Sequence, residues 1–544
     1  MLNRKDTSYY KTISYNFNKL IEQISSQNQN NLDWWVTSAA DRNPFVSRSF
    51  QEYCAALNSI NRQESLKPQN NNLAWPKLST VYIAQLFRNL FKSLKNKFKK
   101  IIRVYLILFY EVLKRIFQLV VARITKKNNL ELRGPLILID IFAFPGYYSK
   151  DRYYNGLWDK LSNDEKSFTY FVPTLAFTKI KDYFKAYKEI RNIKRNVLVK
   201  EDFLKVSDIA YALLHFFRVR FLKFPTIIEN GIDFSKPIKE EIKSFSRFSS
   251  AIEGILNYRF IRRLKKNNVD IKLVLDWWES QAPDKGLHLA LHRYYPDIPV
   301  IGYLGYAPRD LELQLFPTEY ESNAHVIPKI IGVIGDGFVE SIKRYYPQQN
   351  VTKVPAFRFQ HLWDEKKSKV HNKPSILIAL TVLHGESIGI LNLVKQNLEV
   401  LKKTNLDILI KPHPTMTIEQ MKKGLESDWP SEFEIVQGPT DEYIRSSKIL
   451  VTGMSSIALE SLAIGKPTIV IEHAEDLPLI PIPNDIPQDM WRYCSGESQF
   501  CDAFEQFIYM DCQEQENFAE KGKNIRAKYF EPVSRDGVLK LLKL

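Results

Sequence analysis

The sequence is poor in cysteine and lacks the cysteine patterns that define zinc sites. Its four cysteines are Cys54, Cys494, Cys501 and Cys512, and they form no C-x-x-C pair and no Cys/His set with zinc-ligand spacing. Three of them lie near the C-terminus, but a disulfide framework is not expected in a chain of 544 residues. These absences favour a reducing, cytoplasmic environment.

Long apolar runs are also missing. The first residues, MLNRKDTSYYKTISYNF, lack the apolar core of a signal peptide. No window reaches about 18 apolar residues without a charge, so no transmembrane helix is predicted. We therefore expect a cytoplasmic protein that does not cross a membrane.

The overall composition is that of a globular protein with a basic surface. Hydrophobic residues make up 44% and charged residues 25%, and the formal net charge is +16. Such a charge suits nucleic acid, anionic membranes or phosphorylated ligands, and a generally basic surface explains it equally well. No recognised nucleic-acid motif accompanies the charge, so no nucleic-acid partner is expected.

Much of the positive charge is concentrated between residues 81 and 127. From Arg88 to Lys127 there are twelve Lys/Arg residues and one acid, Glu111, and the apolar residues follow helical spacing. A basic amphipathic helix is typical of proteins that bind anionic membrane surfaces. The alternative is a helix that packs on the next domain and exposes a solvated basic face.

From about residue 131 the pattern alternates between apolar runs and helical stretches, which predicts βαβ units and parallel sheets. The alternation stops at a charged stretch and then restarts. We predict an α/β fold with two Rossmann-like doubly wound domains and an N-terminal helical extension. The predicted division is a mixed segment 1–80, a basic amphipathic helical region 81–130, a first Rossmann-like domain 131–363, a linker 364–374 and a second Rossmann-like domain 375–544.

The stretch ILIKPHPTMT (408–417) ends an apolar run in a stiff corner. Pro412 and Pro414 cannot continue a sheet ladder, because each lacks a backbone N–H and has a fixed φ. The corner presents His413 and Lys411 at the end of a predicted strand. An imidazole can donate to a phosphate oxygen, and a lysine adds a point charge.

A second stretch, KILVTGMSSIALESLAIGKPTIVIE, predicts a strand, a tight turn at Gly453 and a helix that begins at Ser455-Ser456. One serine hydroxyl can cap the helix, and the other can bind a phosphate together with free backbone N–H groups. Glu460, one helical turn later, is positioned to accept hydrogen bonds from ribose hydroxyls. His413 and the serine pair, in successive βα units, are predicted to converge on one anion.

These two stretches together resemble the C-terminal domain of GT-B glycosyltransferases. The similarity is greatest to the HP-plus-SS pattern of bacterial sialyltransferases and Kdo transferases, and CDP-glycerol glycerophosphotransferases carry a similar pattern. It covers roughly residues 375 to 475. The resemblance implies that His413, Ser455 and Ser456 bind the phosphate of a cytidine nucleotide donor, that residues 375–544 form the donor domain and that residues 131–363 form the acceptor domain.

The first loop of the second domain, TVLHGES, places Thr381, His384 and Ser387 where they could contact the donor, although a simple turn explains the loop equally well. No D-x-D motif flanked by strand signals appears, so a metal-dependent GT-A enzyme is disfavoured. We expect no metal and no cofactor other than the nucleotide-sugar substrate.

Sugar transfer with inversion needs a base for the acceptor hydroxyl. Carboxylates at predicted strand ends of the first domain are Asp140, Asp276 and Glu279, with Asp284 further along one loop. Asp276 and Glu279 are favoured, because they share a loop with two tryptophans that could stack on sugar rings. The alternative is that Asp276 caps a helix and both tryptophans belong to the core.

The leading hypothesis is a glycosyltransferase that moves Kdo or a sialic-acid-like sugar from a CMP-activated donor to a bacterial surface polysaccharide or lipid-linked acceptor. It would act in the cytoplasm, with residues 81–127 holding it at the inner face of the cell membrane. The alternatives are a CDP-polyol phosphotransferase, an epimerase of the same architecture, and a non-catalytic membrane-associated scaffold with a degenerate transferase domain.

Overall fold

The computed structural model describes most of the chain, namely residues 7–44, 47–65, 102, 104–126, 132, 134–229, 232–245, 247–364, 373–425, 428–472 and 480–544. The predicted features over 66–101 and the central part of the linker, 365–372, lie outside the described residues. In the described part, no helix combines the length and apolar character needed to cross a membrane.

The N-terminal extension is helical, as predicted. Its apolar side chains, such as Phe17, Trp34 and Phe50, share one buried cluster with strand and helix residues of the first domain. The extension is thus part of the first domain's core. Its helices are α1 (Thr7–Gln27), α2 (Leu32–Trp35), α3 (Ser38–Asp41), α4 (Arg48–Ser65) and α5 (104–124).

The first domain is built on a six-stranded parallel sheet. Strands β1 and β5 are buried along most of their length, which explains why they read as continuous apolar runs such as LILI. The strands are β1 (Leu136–Ala143), β2 (Thr169–Leu175), β5 (Ile271–Trp277), β6 (Val300–Leu304), β7 (Ile330–Val333) and β8 (Asn350–Lys353), and a separate short hairpin comprises β3 (Ile228–Glu229) and β4 (Ile232–Asp233).

Helices connect these strands and cover the sheet. Two of them, α11 (Phe248–Lys266) and α12 (Ala282–Tyr294), cross so closely at Gly254 and Gly286 that a side chain at either position would collide with the other helix's backbone. The other helices are α6 (Asn163–Ser167), α7 (Tyr183–Arg191), α8 (Val206–Leu213), α9 (His215–Arg218), α10 (Ser235–Lys243), α13 (Glu319–Asn323) and α14 (Val339–Ile342).

The second domain repeats this plan with another six-stranded parallel sheet. Its strands are β9 (Ser375–Ala379), β10 (Asp407–Lys411), β11 (Phe433–Ile435), β12 (Ile449–Thr452), β13 (Thr468–Ile471) and β14 (Trp491–Cys494). Its helices are α15 (His384–Gln396), α16 (Leu398–Lys402), α17 (Ile418–Gly424), α18 (Thr440–Ser446), α19 (Ile457–Ala463), α20 (Glu497–Ile508), α21 (Cys512–Tyr529) and α22 (Arg535–Leu542).

The two parallel sheets confirm the predicted fold class of two doubly wound domains. The strand order is β2-β1-β5-β6-β7-β8 in the first sheet and β11-β10-β9-β12-β13-β14 in the second. The direction in which successive strands are added to the sheet therefore reverses between β1 and β5, and again between β9 and β12. Loops diverge at such switch points and leave a crevice at the carboxyl ends of the strands, where open α/β sheets bind ligands.

The end of the chain ties the two domains together. After α21, the backbone N–H of Glu531 donates to Ile334 O at 2.7 Å, and the Glu531 carbonyl accepts from the N–H of Ala356 at 2.8 Å. Helix α22 then packs its apolar residues into a core cluster that contains side chains of both sheets. The predicted second domain, 375–544, thus includes a terminal helix that lies against the first domain.

Candidate functional site

The carboxyl edges of the two sheets face each other. Arg309, on the loop after β6, donates from Nη1 to the carbonyl oxygen of Met454, on the loop after β12, at 3.0 Å. Arg152, on the loop after β1, is close enough to His413, on the loop after β10, for its charge to affect the pKa of the imidazole. Residues from both domains therefore line one interdomain cleft.

His413 lies in this cleft with its ring only partly covered. Nδ1 is hydrogen-bonded to the Thr415 hydroxyl at 2.7 Å, which fixes the orientation of the ring. In the described part of the chain Nε2 has no hydrogen-bond partner. Burial and the positive charge of Arg152 lower the pKa of His413, so the ring is neutral near pH 7. The imidazole is held in place with one nitrogen free.

The paired serines stand at the start of α19. Ser456 is the residue before the helix, but its side chain does not cap it. The backbone N–H of Ser455 donates to Gly453 O at 2.8 Å. Neither serine hydroxyl is hydrogen-bonded to any residue that the structure describes, so the predicted capping role is not observed. Both hydroxyls are left to interact with a ligand.

His413 and the serine pair share an edge of the sheet but are not adjacent. Strands β10 and β12 lie on opposite sides of β9. Neighbouring strands are about 4.8 Å apart, so the ends of β10 and β12 are separated by roughly 10 Å. The loop that follows β9 lies between them. A ligand held by both groups would span this distance, as a nucleotide phosphate with its attached sugar can.

The loop after β9 is held by a carboxylate that sequence reasoning missed. Glu386 is buried, accepts from the Thr381 hydroxyl at 2.5 Å and from the Met454 N–H at 2.6 Å, and so joins the loops after β9 and β12. A side chain at Gly453 would collide with this carboxylate. Thr381 is consequently a buried support of the loop, whereas His384 is exposed at the start of α15.

The remaining residues that were predicted to bind the nucleotide donor differ in what they contact. Lys411 is partly buried, which lowers the pKa of its ammonium group, and it forms no ion pair within the described residues. Glu460 is paired with His361 at 3.2 Å, and this carboxylate raises the pKa of His361 against the effect of burial. A ribose that contacts Glu460 would share it with this histidine.

The structure separates the two favoured carboxylates of the first domain. Asp276 is completely buried and contacts His288 Nε2 at 2.8 Å. It lies beside Asp140 on β1, and burial together with the charge of Asp276 raises the pKa of Asp140 well above its usual value. No acceptor can reach Asp276 in this conformation, because none of its surface is accessible.

Glu279 lies beyond the end of β5 and is partly accessible. Trp277 Nε1 donates to one carboxylate oxygen at 2.9 Å, and Gln281 Nε2 donates to the other at 2.7 Å. Burial raises the pKa of Glu279 despite these hydrogen bonds. Asp284 accepts from the backbone N–H of Glu279 at 2.9 Å, so it supports the loop. Glu279 is the better placed of the two favoured carboxylates.

The expectation that the tryptophans stack on sugar rings is not met. Trp277 and Trp278 are both buried in the core. Trp277 packs against Tyr153, with ring centroids 4.3 Å apart, and Arg358 lies over the Trp277 ring at 5.8 Å. Tyr147, on the loop after β1, and Phe177, on the loop after β2, are exposed aromatic side chains at this edge.

Two arginines of the first domain reach the cleft without an acidic partner. Arg152 lies over the rings of Phe144 and Tyr147, at 5.2 and 5.5 Å from their centroids. Arg358 contacts aromatic rings in the same way and lies close enough to Glu279 to affect its pKa. Among the described residues, neither guanidinium forms a hydrogen bond or an ion pair. Sequence patterns contain no signal for either residue.

No group of three or more metal-ligating side chains is found among the described residues. No protein-family model and no curated protein matches the chain.

Similar solved structures include α,α-trehalose 6-phosphate synthase from Burkholderia multivorans (11% identity, 75% of this chain and 96% of that chain, TM-score 0.43). Two others are S. aureus MnaA with UDP (13%, 75% and 95%, TM-score 0.44) and Acinetobacter baumannii MurG (12%, 75% and 99%, TM-score 0.39). Identities this low carry no information about substrate.

Proposed function

We propose that this protein is a glycosyltransferase that takes an acidic sugar, Kdo or a sialic-acid-like sugar, from a CMP-activated donor. The acceptor would be a bacterial surface polysaccharide or its lipid-linked precursor. The observation that carries the proposal is a set of hydrogen-bonding groups left unengaged at the carboxyl edge of the second sheet. They are the Nε2 side of His413 and the hydroxyls of Ser455 and Ser456.

The donor would bind between His413 and the serine pair, with its phosphate and the attached sugar spanning the space between them. Hydrogen bonds from hydroxyls and an imidazole suit phosphate oxygens, and the neighbouring Lys411 supplies positive charge. The sequence resemblance assigns the same residues to a cytidine nucleotide. The unpaired guanidinium groups of Arg152 and Arg358 favour a sugar or acceptor that carries a further negative charge.

In the proposed reaction, the acceptor hydroxyl oxygen forms a bond to the anomeric carbon as the bond from that carbon to the phosphate oxygen breaks. CMP leaves with the bonding electron pair, and Glu279 takes the hydroxyl proton. A base works best when its pKa lies near the working pH, and the raised pKa of Glu279 moves it in that direction. His413 stabilises the charge that develops on the leaving phosphate.

The direct test is an assay of CMP release by the purified full-length chain. CMP-Kdo and a CMP-sialic acid are each supplied with and without a lipid-linked glycan acceptor, and products are identified by mass spectrometry. The proposal expects acceptor-dependent release of CMP and a product heavier by one sugar. Binding of CMP without any transfer or hydrolysis of either donor would contradict it and favour the scaffold.

A CDP-polyol phosphotransferase would use the same phosphate contacts, so CDP-glycerol is the necessary control donor. Such an enzyme also releases CMP, but its product gains a phosphodiester and one phosphorus atom. The mass of the product therefore separates the two reactions.

A further inference from the structure

Helix α5 exposes an apolar stripe to the surface and buries several polar side chains. It buries the polar and charged side chains of Glu111, Arg115 and Gln118 against the first domain, beside a short apolar segment of Leu119, Val121 and Ala122. Its outer face is an apolar stripe with helical spacing, in which each side chain is between 42% and 68% exposed: Tyr105, Leu106, Phe109, Tyr110, Leu113, Ile116, Phe117, Val120 and Ile124. A helix on the surface of a water-soluble protein normally has the opposite arrangement.

Specific contacts fix this orientation. Arg115 Nη1 is paired with Glu253 at 2.5 Å, and Gln118 Nε2 donates to Glu201 at 2.8 Å. Lys114 Nζ donates to the Ser249 hydroxyl at 2.7 Å. Turning the helix to hide its apolar stripe would break these contacts and take partners away from buried acids, which is unfavourable. The apolar stripe is therefore held outward by the polar interior.

Neighbouring helices extend the apolar surface. Phe117 on α5 stacks on Tyr183 at the start of α7, and Phe184, the next residue, is half-exposed. At the other end, Tyr105 contacts Phe216, on α9, with ring centroids 5.8 Å apart. Beyond Phe216, the side chains of Phe217 and Phe221 are 47% and 82% exposed. We call the apolar stripe of α5, together with Phe184, Phe217 and Phe221, the apolar face.

Cations surround the apolar face. The four lysines of the α7 region, Lys179, Lys181, Lys185 and Lys188, are all exposed, and only one acid, Asp182, lies between them. Near α9, Arg220 and Lys223 are exposed in a stretch without acids, 215–223. Apolar side chains within a positive border match the chemistry of an anionic lipid surface, where acyl chains lie beneath negatively charged headgroups.

We propose that the apolar face docks the protein on an anionic lipid bilayer. Helix α5 lies parallel to the membrane plane, its apolar stripe enters the headgroup region, and the lysines of the α7 region contact lipid phosphates. The apolar stripe makes the main contact and the basic residues border it, in contrast to the basic contact face expected from the sequence. This inference goes beyond the proposed function and does not depend on it.

The test is co-sedimentation of the full chain with vesicles, at equal lipid, made of phosphatidylglycerol and phosphatidylethanolamine or of phosphatidylcholine alone. We expect binding to the anionic vesicles and at least tenfold weaker binding to the neutral ones.

The double variant Phe109→Ser, Leu113→Ser should lower anionic binding by about tenfold or more, because two apolar side chains no longer enter the lipid. The triple variant Lys181→Gln, Lys185→Gln, Lys188→Gln should weaken binding and reduce its salt dependence.

The matched control is Tyr509→Ser, which replaces an exposed aromatic residue of the second domain far along the chain from the apolar face. It should bind vesicles like the wild type. The serine variants replace exposed side chains, so circular dichroism melting curves should stay unchanged.

Three outcomes overturn the proposal. One is wild-type protein that stays in the supernatant with anionic vesicles. Another is a double variant that binds as tightly as the wild type. The third is a wild-type dimer in light scattering that becomes monomeric in the double variant and does not bind lipid, which would assign the apolar face to a second copy of the chain.

Discussion

The carboxyl edges of the two sheets differ in how their polar side chains are used. At the edge of the second sheet, His413, Ser455 and Ser456 present groups that the described protein leaves unpaired. At the edge of the first sheet, Asp276 and Glu279 are engaged by their own neighbours. The second edge is arranged to receive an anionic ligand, whereas the two carboxylates of the first edge already contact side chains of the protein itself. The predictions below test this difference.

The largest effect is expected at His413. Replacement by alanine removes both a phosphate contact and the group that stabilises the leaving phosphate, so kcat should fall by about 10²–10³-fold, with weaker CMP binding. Steady-state kinetics and CMP titration measure the two effects. His292→Ala, a change at a histidine in the first domain's helix α12, serves as the control and should leave both unchanged. Normal kinetics in His413→Ala would contradict the donor site.

The next largest effect is expected at Glu279. Glu279→Gln keeps the shape of the side chain but removes its basicity, so kcat should fall by about 10²-fold or more while the Kd for CMP stays constant. Because the pKa of Glu279 is raised, kcat/KM should increase with pH through a value above 4.5, the usual value for Glu, and this rise should be absent from the variant.

Asp276→Asn is the counterpart in strand β5, which precedes the loop of Glu279. It weakens a buried contact with His288, so the melting temperature should drop while the folded enzyme keeps its kcat. If Asp276→Asn abolished turnover without loss of stability, the buried carboxylate would have a catalytic role and the distinction between the two residues would be wrong.

A moderate effect is expected at the serine pair. Ser455→Ala and Ser456→Ala should each raise the Kd for CMP by roughly 10- to 150-fold, the loss expected for a hydrogen bond to a charged group. Their melting temperatures should stay unchanged, because the hydroxyls support nothing in the protein itself. Ser387→Ala is the opposite control: its buried hydroxyl is hydrogen-bonded to the backbone of Thr381 at 3.1 Å, so stability should fall.

The smallest effect concerns the protonation of His413. Its lowered pKa keeps the free ring neutral, and a bound phosphate should raise that pKa by its opposite charge. CMP binding should therefore take up a proton near pH 6. Calorimetry in buffers of different ionisation enthalpy measures the uptake, and His413→Ala should reduce it. Equal uptake in both proteins would show that the proton goes elsewhere.

The second domain's candidate site could be predicted because its signals are local. A proline corner and a serine pair each follow directly from one strand, and the parallel order places strand ends on one edge. The two parallel sheets followed from the alternating pattern for the same reason. The predicted capping by serine failed because a cap depends on side-chain rotation, which local patterns do not determine.

The first domain's edge could not be predicted in the same way. Successive side chains of a strand point to opposite faces of the sheet. Asp276 therefore points to the helices, while Glu279, beyond the strand, reaches the cleft. The contact between Arg309 and Met454 joins residues 145 positions apart. The outward apolar stripe of α5 depends on acids such as Glu253 that lie far away in the chain. These features arise only from tertiary packing.

The most direct measurement is a thermal-shift comparison of CMP, CDP, UDP and GDP on the wild type and on the double variant Ser455→Ala, Ser456→Ala. A ligand at about 100 times its Kd stabilises the folded state by about 2.7 kcal/mol. We predict that cytidine nucleotides raise the melting temperature of the wild type, that UDP and GDP do so much less, and that the double variant loses the shift. Equal shifts with all four nucleotides, or an undiminished shift in the variant, would contradict a cytidine phosphate site at this edge.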